Sequence, residues 1–275
     1  MHIVTRFFQF YIDASVHVAF AVVALYLITI KDLNSFANWY LVGFLFSATI
    51  VCYNFIKYGV EAGKYLIVSK PAHKSIQIFS FIASLFSVFF FFVISPILWC
   101  YVIVFTLISA LYAIPFLPHS KNLRSLGGLK IFLVAFIWMG FSFILPVIEN
   151  GTPTASATFL MGLKRFLLVL ILILPFEIRD LKYDDEKLRT VPQRLGIAQT
   201  KRVGYHLILV YYLLGLLVKP IALRDVIFSS IVCLVLVFAI YNTTENRSDY
   251  YTSFWVESIP MIMLVFSYVL EMIFV

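Results

Sequence analysis

Charge is what this 275-residue sequence has least of: 13% of its residues are Asp, Glu, Lys or Arg, while 62% are hydrophobic and the mean hydropathy is +0.98. Water-soluble domains carry roughly 25% charged and about 45–50% apolar residues. A soluble globule, a Rossmann-type enzyme, a nucleic-acid-binding domain and a disordered tail are therefore excluded at the outset. Cysteine is scarce as well. Cys52, Cys100 and Cys233 lie far apart in apolar surroundings, without a CxxC or Cys/His cluster, and read as three buried free thiols. The five histidines show no HExxH spacing, so zinc and haem have no support. No linker, low-complexity stretch or soluble domain interrupts the chain. Its first hydrophobic run lacks a cleavage site and reads as a retained span.

What is present is a series of apolar runs: 13–30, 38–56, 76–94, 97–115, 130–148, 159–178, 204–219, 226–241 and 255–274. Backbone in lipid must satisfy its own hydrogen bonds, so these runs are helices. The long run from 76 to 115 divides at Ser95-Pro96, where proline interrupts a helix. The expected fold is all-α: a polytopic membrane protein with about nine transmembrane helices in a single bundle, one domain over 1–275.

The net charge of +7 is unevenly placed. Of 21 Lys and Arg, 16 fall at the N-terminus and in the even-numbered loops, and 14 of these crowd into 57–75, 116–130 and 177–203. The other five are Lys31, Lys164, Arg165, Lys219 and Arg224. The positive-inside rule puts the basic side, with the N-terminus, in the cytoplasm. The expected location is the inner (plasma) membrane of a bacterium.

The sixth run passes directly into EIRDLKYDDEKLRTVPQRLG (177–196). Asp180 and Asp184 are four apart, so on a continuing helix their carboxylates share a face. Magnesium commonly takes one or two carboxylates plus phosphate oxygens and water. Arg179, Lys182, Lys187 and Arg189 around the pair suit a phosphorylated ligand. The same spacing also suits a solvated, charged loop between helices. Pro175, near the end of the same run, is a candidate helix break.

The stretch IRDLKYDDEKLRTVPQRLG resembles the second aspartate-rich motif of the UbiA-type intramembrane prenyltransferases. The matching positions are Asp180, Asp184, Arg189-Thr190, Pro192 and Leu195-Gly196. The resemblance implies Mg2+-dependent transfer of a polyprenyl group from its diphosphate to an aromatic or other lipid-soluble acceptor, with Mg2+ held by Asp180 and Asp184. It also implies a diphosphate grip made by Arg179, Lys182, Tyr112 and the basic pair Lys121 and Arg124. That pair serves membrane orientation equally well.

The first motif of the family departs here. Asn54 matches its opening asparagine, but Phe55, Tyr58 and Ala62 occupy the aspartate positions and Glu61 is one residue out of register. Asn54 thus joins Asp180 and Asp184 as the candidate catalytic set. A non-catalytic polyprenyl-lipid-binding protein and a small-molecule transporter are the alternatives. Transporters place ionisable residues within spans, whereas here the acids gather mainly in one loop.

The charge split predicts a topology that labelling can test. Cysteines introduced at 122, 187 and 247 should react from one face of the membrane, and a cysteine at 152 from the other. Labelling of 122 and 187 from opposite faces would make a shared cytoplasmic site impossible.

Overall fold

The computed structural model describes residues 2–59, 71–113, 127–151, 154–185, 188–218 and 222–274. Eight helices among them are long and apolar enough to cross a membrane, and a pair bent by 59° supplies a ninth. That pair is α1 (His2–Asp13) and α2 (Val16–Asp32). Next come α3 (Trp39–Asn54), which ends in a π-helical turn over Phe55–Gly59, α4 (Pro71–Val93) and α5 (Pro96–Ala113). Helix α6 (Leu129–Met139), a π segment (Gly140–Ile144) and α7 (Leu145–Asn150) form one span. The chain continues through α8 (Ala155–Asp180), α9 (Val191–Val218) and α10 (Leu223–Tyr241), then a π segment (Tyr251–Val256) leading into α11 (Ile259–Ile273). The chain is an all-α, multi-pass integral membrane protein, as the runs predict.

Local chemistry explains the boundaries. Pro96 opens α5, where its missing N–H would have had no helical partner. The Asn38 side chain accepts hydrogen bonds from the Tyr40 and Leu41 amides at 2.9 and 3.3 Å, capping α3. Thr190 and Gln193 form half of a capping box at the start of α9, with the Thr190 amide donating to Gln193 Oε1 at 2.9 Å.

Helix α8 is the axis of the bundle. Leu167 through Leu172 are all buried, which places neighbours on every side of it. By contrast, α4 leaves Phe81, Leu85, Phe89 and Phe92 exposed, the surface expected to meet lipid acyl chains. His17 ties the first bend to the far end of the chain. Its Nε2 donates to the Phe254 carbonyl at 2.9 Å, and its Nδ1 accepts from the Tyr11 hydroxyl at 2.8 Å.

Four expectations need correction. Helix α8 continues through Pro175, so no break occurs there. Helix α9 begins at Val191, well before the predicted 204, and bends at Gly196. The amphipathic α1 lies ahead of the first predicted run. Cys100 is exposed on the outer surface, and Cys52 and Cys233 are half-buried.

Gly127 controls how α6 approaches the loop after α8. Its φ is +59°, and a Cβ there would collide with the carbonyl oxygens of Leu188 and Arg189. Gly151 also has a positive φ, +87°, but nothing lies within 4 Å of its missing Cβ. Backbone strain alone costs about 1–3 kcal/mol. Gly127→Ala should therefore lower thermal stability in detergent by clearly more than Gly151→Ala. Equal losses would show that the contact with 188–189 carries no weight.

Candidate functional site

The end of α8 carries a compact charged cluster. Asp180 is its last residue, and the Asp184 amide donates to the Asp180 carbonyl at 2.9 Å. That bond extends the helical spacing by a turn and keeps 180 and 184 adjacent. One turn earlier, Glu177 is buried. Lys130, the second residue of α6, reaches between these groups. Its Nζ lies 2.9 Å from Glu177 Oε1 and 3.3 Å from Asp184 Oδ2. The close approach permitted by Gly127 brings α6 near enough for this. A buried ammonium is tolerable only because carboxylates meet it, and the reverse holds for Glu177.

Arg179 organises the other flank. Its Nε donates to Asp180 Oδ1 at 2.7 Å, while Nη1 donates to Thr252 Oγ1 at 2.7 Å and to Ser253 Oγ at 3.0 Å. The latter two belong to the π segment before α11, and π turns often occur at functional sites. The Arg179 guanidinium also lies 5.0 Å from the Phe176 ring centroid. Lys182 is turned away from the cluster, 3.1 Å from Asp249 Oδ1. Hydrogen bonds to Tyr183 and Asp249 hold its ammonium above the ordinary lysine range.

These groups border a cavity of about 230 Å³. Lys130, Glu177, Asp180, Glu257 and Tyr112 supply polar atoms to its wall, and Tyr53, Trp138 and Phe176 supply aromatic rings. A larger apolar groove of about 590 Å³ runs between α3, α4, α5 and the α6 span. The two spaces share Cys52, Tyr53, Ser109, Ile137 and Trp138. At this junction Trp138 Nε1 donates to the Tyr53 hydroxyl at 2.9 Å.

The cavity wall carries three carboxylates and one ammonium. An anionic group would therefore meet repulsion unless a cation came with it. All acidic donors are oxygen, which suits a hard cation. Glu177 Oε2 is buried without a hydrogen-bond partner among the described residues, a position that a metal or a ligand donor could satisfy. No group of three His, Cys, Asp or Glu among the described residues is arranged to hold a metal ion by itself. Asp180 and Glu177, rather than the expected pair Asp180 and Asp184, are the acids on this side of the cavity wall that could hold a hard cation such as Mg2+.

Of the residues singled out from sequence, Asp180 and Tyr112 line the cavity, Asp184 joins it through Lys130, and Arg179 braces Asp180. Asn54 is buried apart from it. Its Nδ2 donates to the Ala14 carbonyl at 3.1 Å and to Ser80 Oγ at 2.8 Å, tying α3 and α4 to the bend between α1 and α2. The Tyr58 hydroxyl likewise donates to the Asp13 carbonyl at 3.1 Å. Glu61, Lys121, Arg124 and Lys187 lie outside the described residues. Sequence reading missed Lys130, Glu177 and Glu257 as site residues. Glu177 had a signal: positions 177, 180 and 184 follow helical spacing on one face.

Cavity, groove and bundle together define a class: a helical membrane protein with a charged pocket beside an apolar groove. Its fold is UbiA-type. A structure of digeranylgeranylglyceryl phosphate synthase in membranes matches with a TM-score of 0.56 at 12% sequence identity, over 98% of each chain. A UbiA homolog from Archaeoglobus fulgidus matches with a TM-score of 0.50 at 11% identity, over 95% of this chain and 94% of that one. No family model and no curated protein matches the sequence.

Removing Lys130 should expose the cost of the buried cluster. Lys130→Met leaves Glu177 and Asp184 without their cation and should destabilise the protein by about 3–5 kcal/mol. Adding Glu177→Gln should recover part of that loss. Unfolding in mixed micelles measures all members of the cycle, and a coupling energy near zero would mean the ion cluster is incidental.

Proposed function

We propose that the protein transfers a polyprenyl group from its diphosphate to an aromatic or other lipid-soluble acceptor within the membrane. The observation that carries this reading is the junction at Tyr53 and Trp138, where the acidic cavity and the apolar groove lie side by side and share lining residues. A substrate with a diphosphate head and a long hydrocarbon tail has this same division. The resemblance of 177–196 to a prenyltransferase motif and the shared fold support it further.

In this reading the tail occupies the groove and the diphosphate lies near Asp180, Glu177 and Lys130. Bound Mg2+, held by Asp180 with Glu177 or Asp184, would neutralise charge on the leaving diphosphate. Lys130 and Arg179 add preorganised positive charge on the same side. Tyr53, Trp138 and Phe176 present ring faces suited to the cationic carbon left at the allylic end. The apolar wall formed by Val134, Ile137 and Leu172 limits water access to that carbon. The charged end faces the cytoplasm in this reading, with the N-terminus on the same side, in a bacterial plasma membrane.

A second reading rests on Asn54. With its amide donated to Ala14 and Ser80, α3 offers no carboxylate in place of the missing first motif. The protein would then bind a polyprenyl lipid without transferring it.

Purified protein, Mg2+, labelled prenyl diphosphates and a membrane lipid extract separate the two. Transfer to a lipid-soluble product supports the enzyme, and saturable binding without product supports the carrier. For the enzyme, Asp180→Asn and Asp184→Asn should each reduce transfer on the order of a hundredfold, the scale of losing one preorganised charge contact. Unchanged Mg2+-dependent diphosphate binding in both variants would remove the acid pair from the site.

A further inference from the structure

The opposite end of the bundle holds a second charged cavity, of about 370 Å³. It is formed by the last turn of α2, the first half of α8, the end of α9, the start of α10 and the end of α11. Lys31, Lys164, Arg165 and Arg224 line it, facing Asp32, Asp225 and Glu271. These four cations are drawn from the five basic residues that the charge pattern assigns to the less basic side. Topology alone would scatter them over the loops.

Depth makes the cluster costly. Helix α8 has 26 residues, which makes it about 39 Å long. Arg165 then lies roughly 16 Å from its start, inside a hydrocarbon layer about 30 Å thick for a centred helix. Ionisable residues at such depth are expensive and commonly mark a ligand or ion site. Arg165 is 7% exposed. It is held by α2: Nη1 donates to the Leu25 carbonyl at 2.9 Å and Nη2 to Thr29 Oγ1 at 3.0 Å. A guanidinium has five N–H donors, so this anchoring leaves three for the cavity.

The remaining cations are positioned differently. Lys31 is fully engaged, 2.9 Å from Glu271 Oε2 and bonded to Ser267. Lys164 lies 5.0 Å from the ring centroid of Tyr211, and Gly215 makes room for it, since a Cβ there would come within 2.9 Å of its Nζ. Arg224 approaches Asp225 at 3.8 Å and makes no hydrogen bond among the described residues. Among the described residues, four cations line the cavity against three carboxylates.

We propose that this cavity binds a phosphate group, with the Arg165 and Arg224 guanidiniums as its donors. Guanidinium forks match phosphate oxygens, and the described lining carries more cations than carboxylates. The group could be carried by a phospholipid entering from the outer leaflet or by free phosphate. The site is independent of the transfer reaction proposed at the other end.

The test uses full-length, delipidated protein. Phosphatidylglycerol, diacylglycerol and inorganic phosphate are titrated separately, and bound lipid or phosphate is quantified by mass spectrometry or radiolabel. Wild type should bind one equivalent of phosphatidylglycerol or of phosphate. Arg224→Met, a half-exposed substitution that leaves the core intact, should weaken that binding at least tenfold. Prenyl diphosphate binding at the other end should not change. Phosphatidylglycerol binding identifies the lipid headgroup as the source, and binding of phosphate alone identifies the free anion. Equal affinity for diacylglycerol and phosphatidylglycerol, unaltered binding in Arg224→Met, or no binding of either phosphate probe would each overturn the proposal.

Discussion

The Lys130 ammonium, held between Glu177 and Asp184 at the end of an apolar bundle, is the interaction on which the site depends. Neither the cation nor the carboxylates would remain charged at low cost without the others. Their pairing fixes where α6 meets α8, and that in turn defines the cavity wall. The backbone contact of Gly127 with Leu188 and Arg189 serves the same end from outside the cavity. Arg179 completes the frame by joining the end of α8 to the π segment before α11. Three separated stretches of chain are thus fixed around one acid group.

Much of the fold was legible because lipid simplifies the problem. Long apolar runs have one stable backbone solution in a bilayer, so composition alone located most spans. Ser95-Pro96 divided α4 from α5 as its chemistry requires. The errors have equally physical causes. Pro175 stays inside α8 because one lost hydrogen bond near a helix end is tolerated within a packed bundle. Helix α9 starts early since Thr190 and Gln193 cap a polar first turn that has no hydrophobic signal. Helix α1 is short and amphipathic, so a search for continuous apolar runs passes over it.

The candidate site was legible only along one helix. Asp180 and Asp184 could be paired by spacing, and Arg179 by adjacency. Lys130 looked like one more loop cation, because nothing local to residues 127–130 reports what they meet across the bundle. Glu257 carries no local signal either, because what it faces is decided by the packing of distant helices. Asn54 shows the converse: it resembles a motif position in sequence, yet its amide joins α3 to Ala14 and Ser80. Motif spacing gives a residue's place on its own helix, whereas its partners depend on how helices pack.

Helix α8 carries charge on both sides of its apolar middle, and that arrangement constrains the whole bundle. Arg165 and Glu177 are twelve positions apart, roughly 18 Å along the axis, with only apolar residues from Phe166 to Phe176 between them. This interval is shorter than the hydrocarbon thickness of about 30 Å. If α8 stood alone, it would draw charged groups into lipid from at least one end. The structure avoids that penalty by surrounding the helix: Arg165 donates to α2, Lys130 from α6 meets Glu177, and Arg179 reaches the segment before α11. The bundle therefore shields the polar groups that flank a short apolar interval within α8. Each charged cavity borders one limit of that apolar interval: Lys164 and Arg165 line one, and Glu177 and Asp180 line the other.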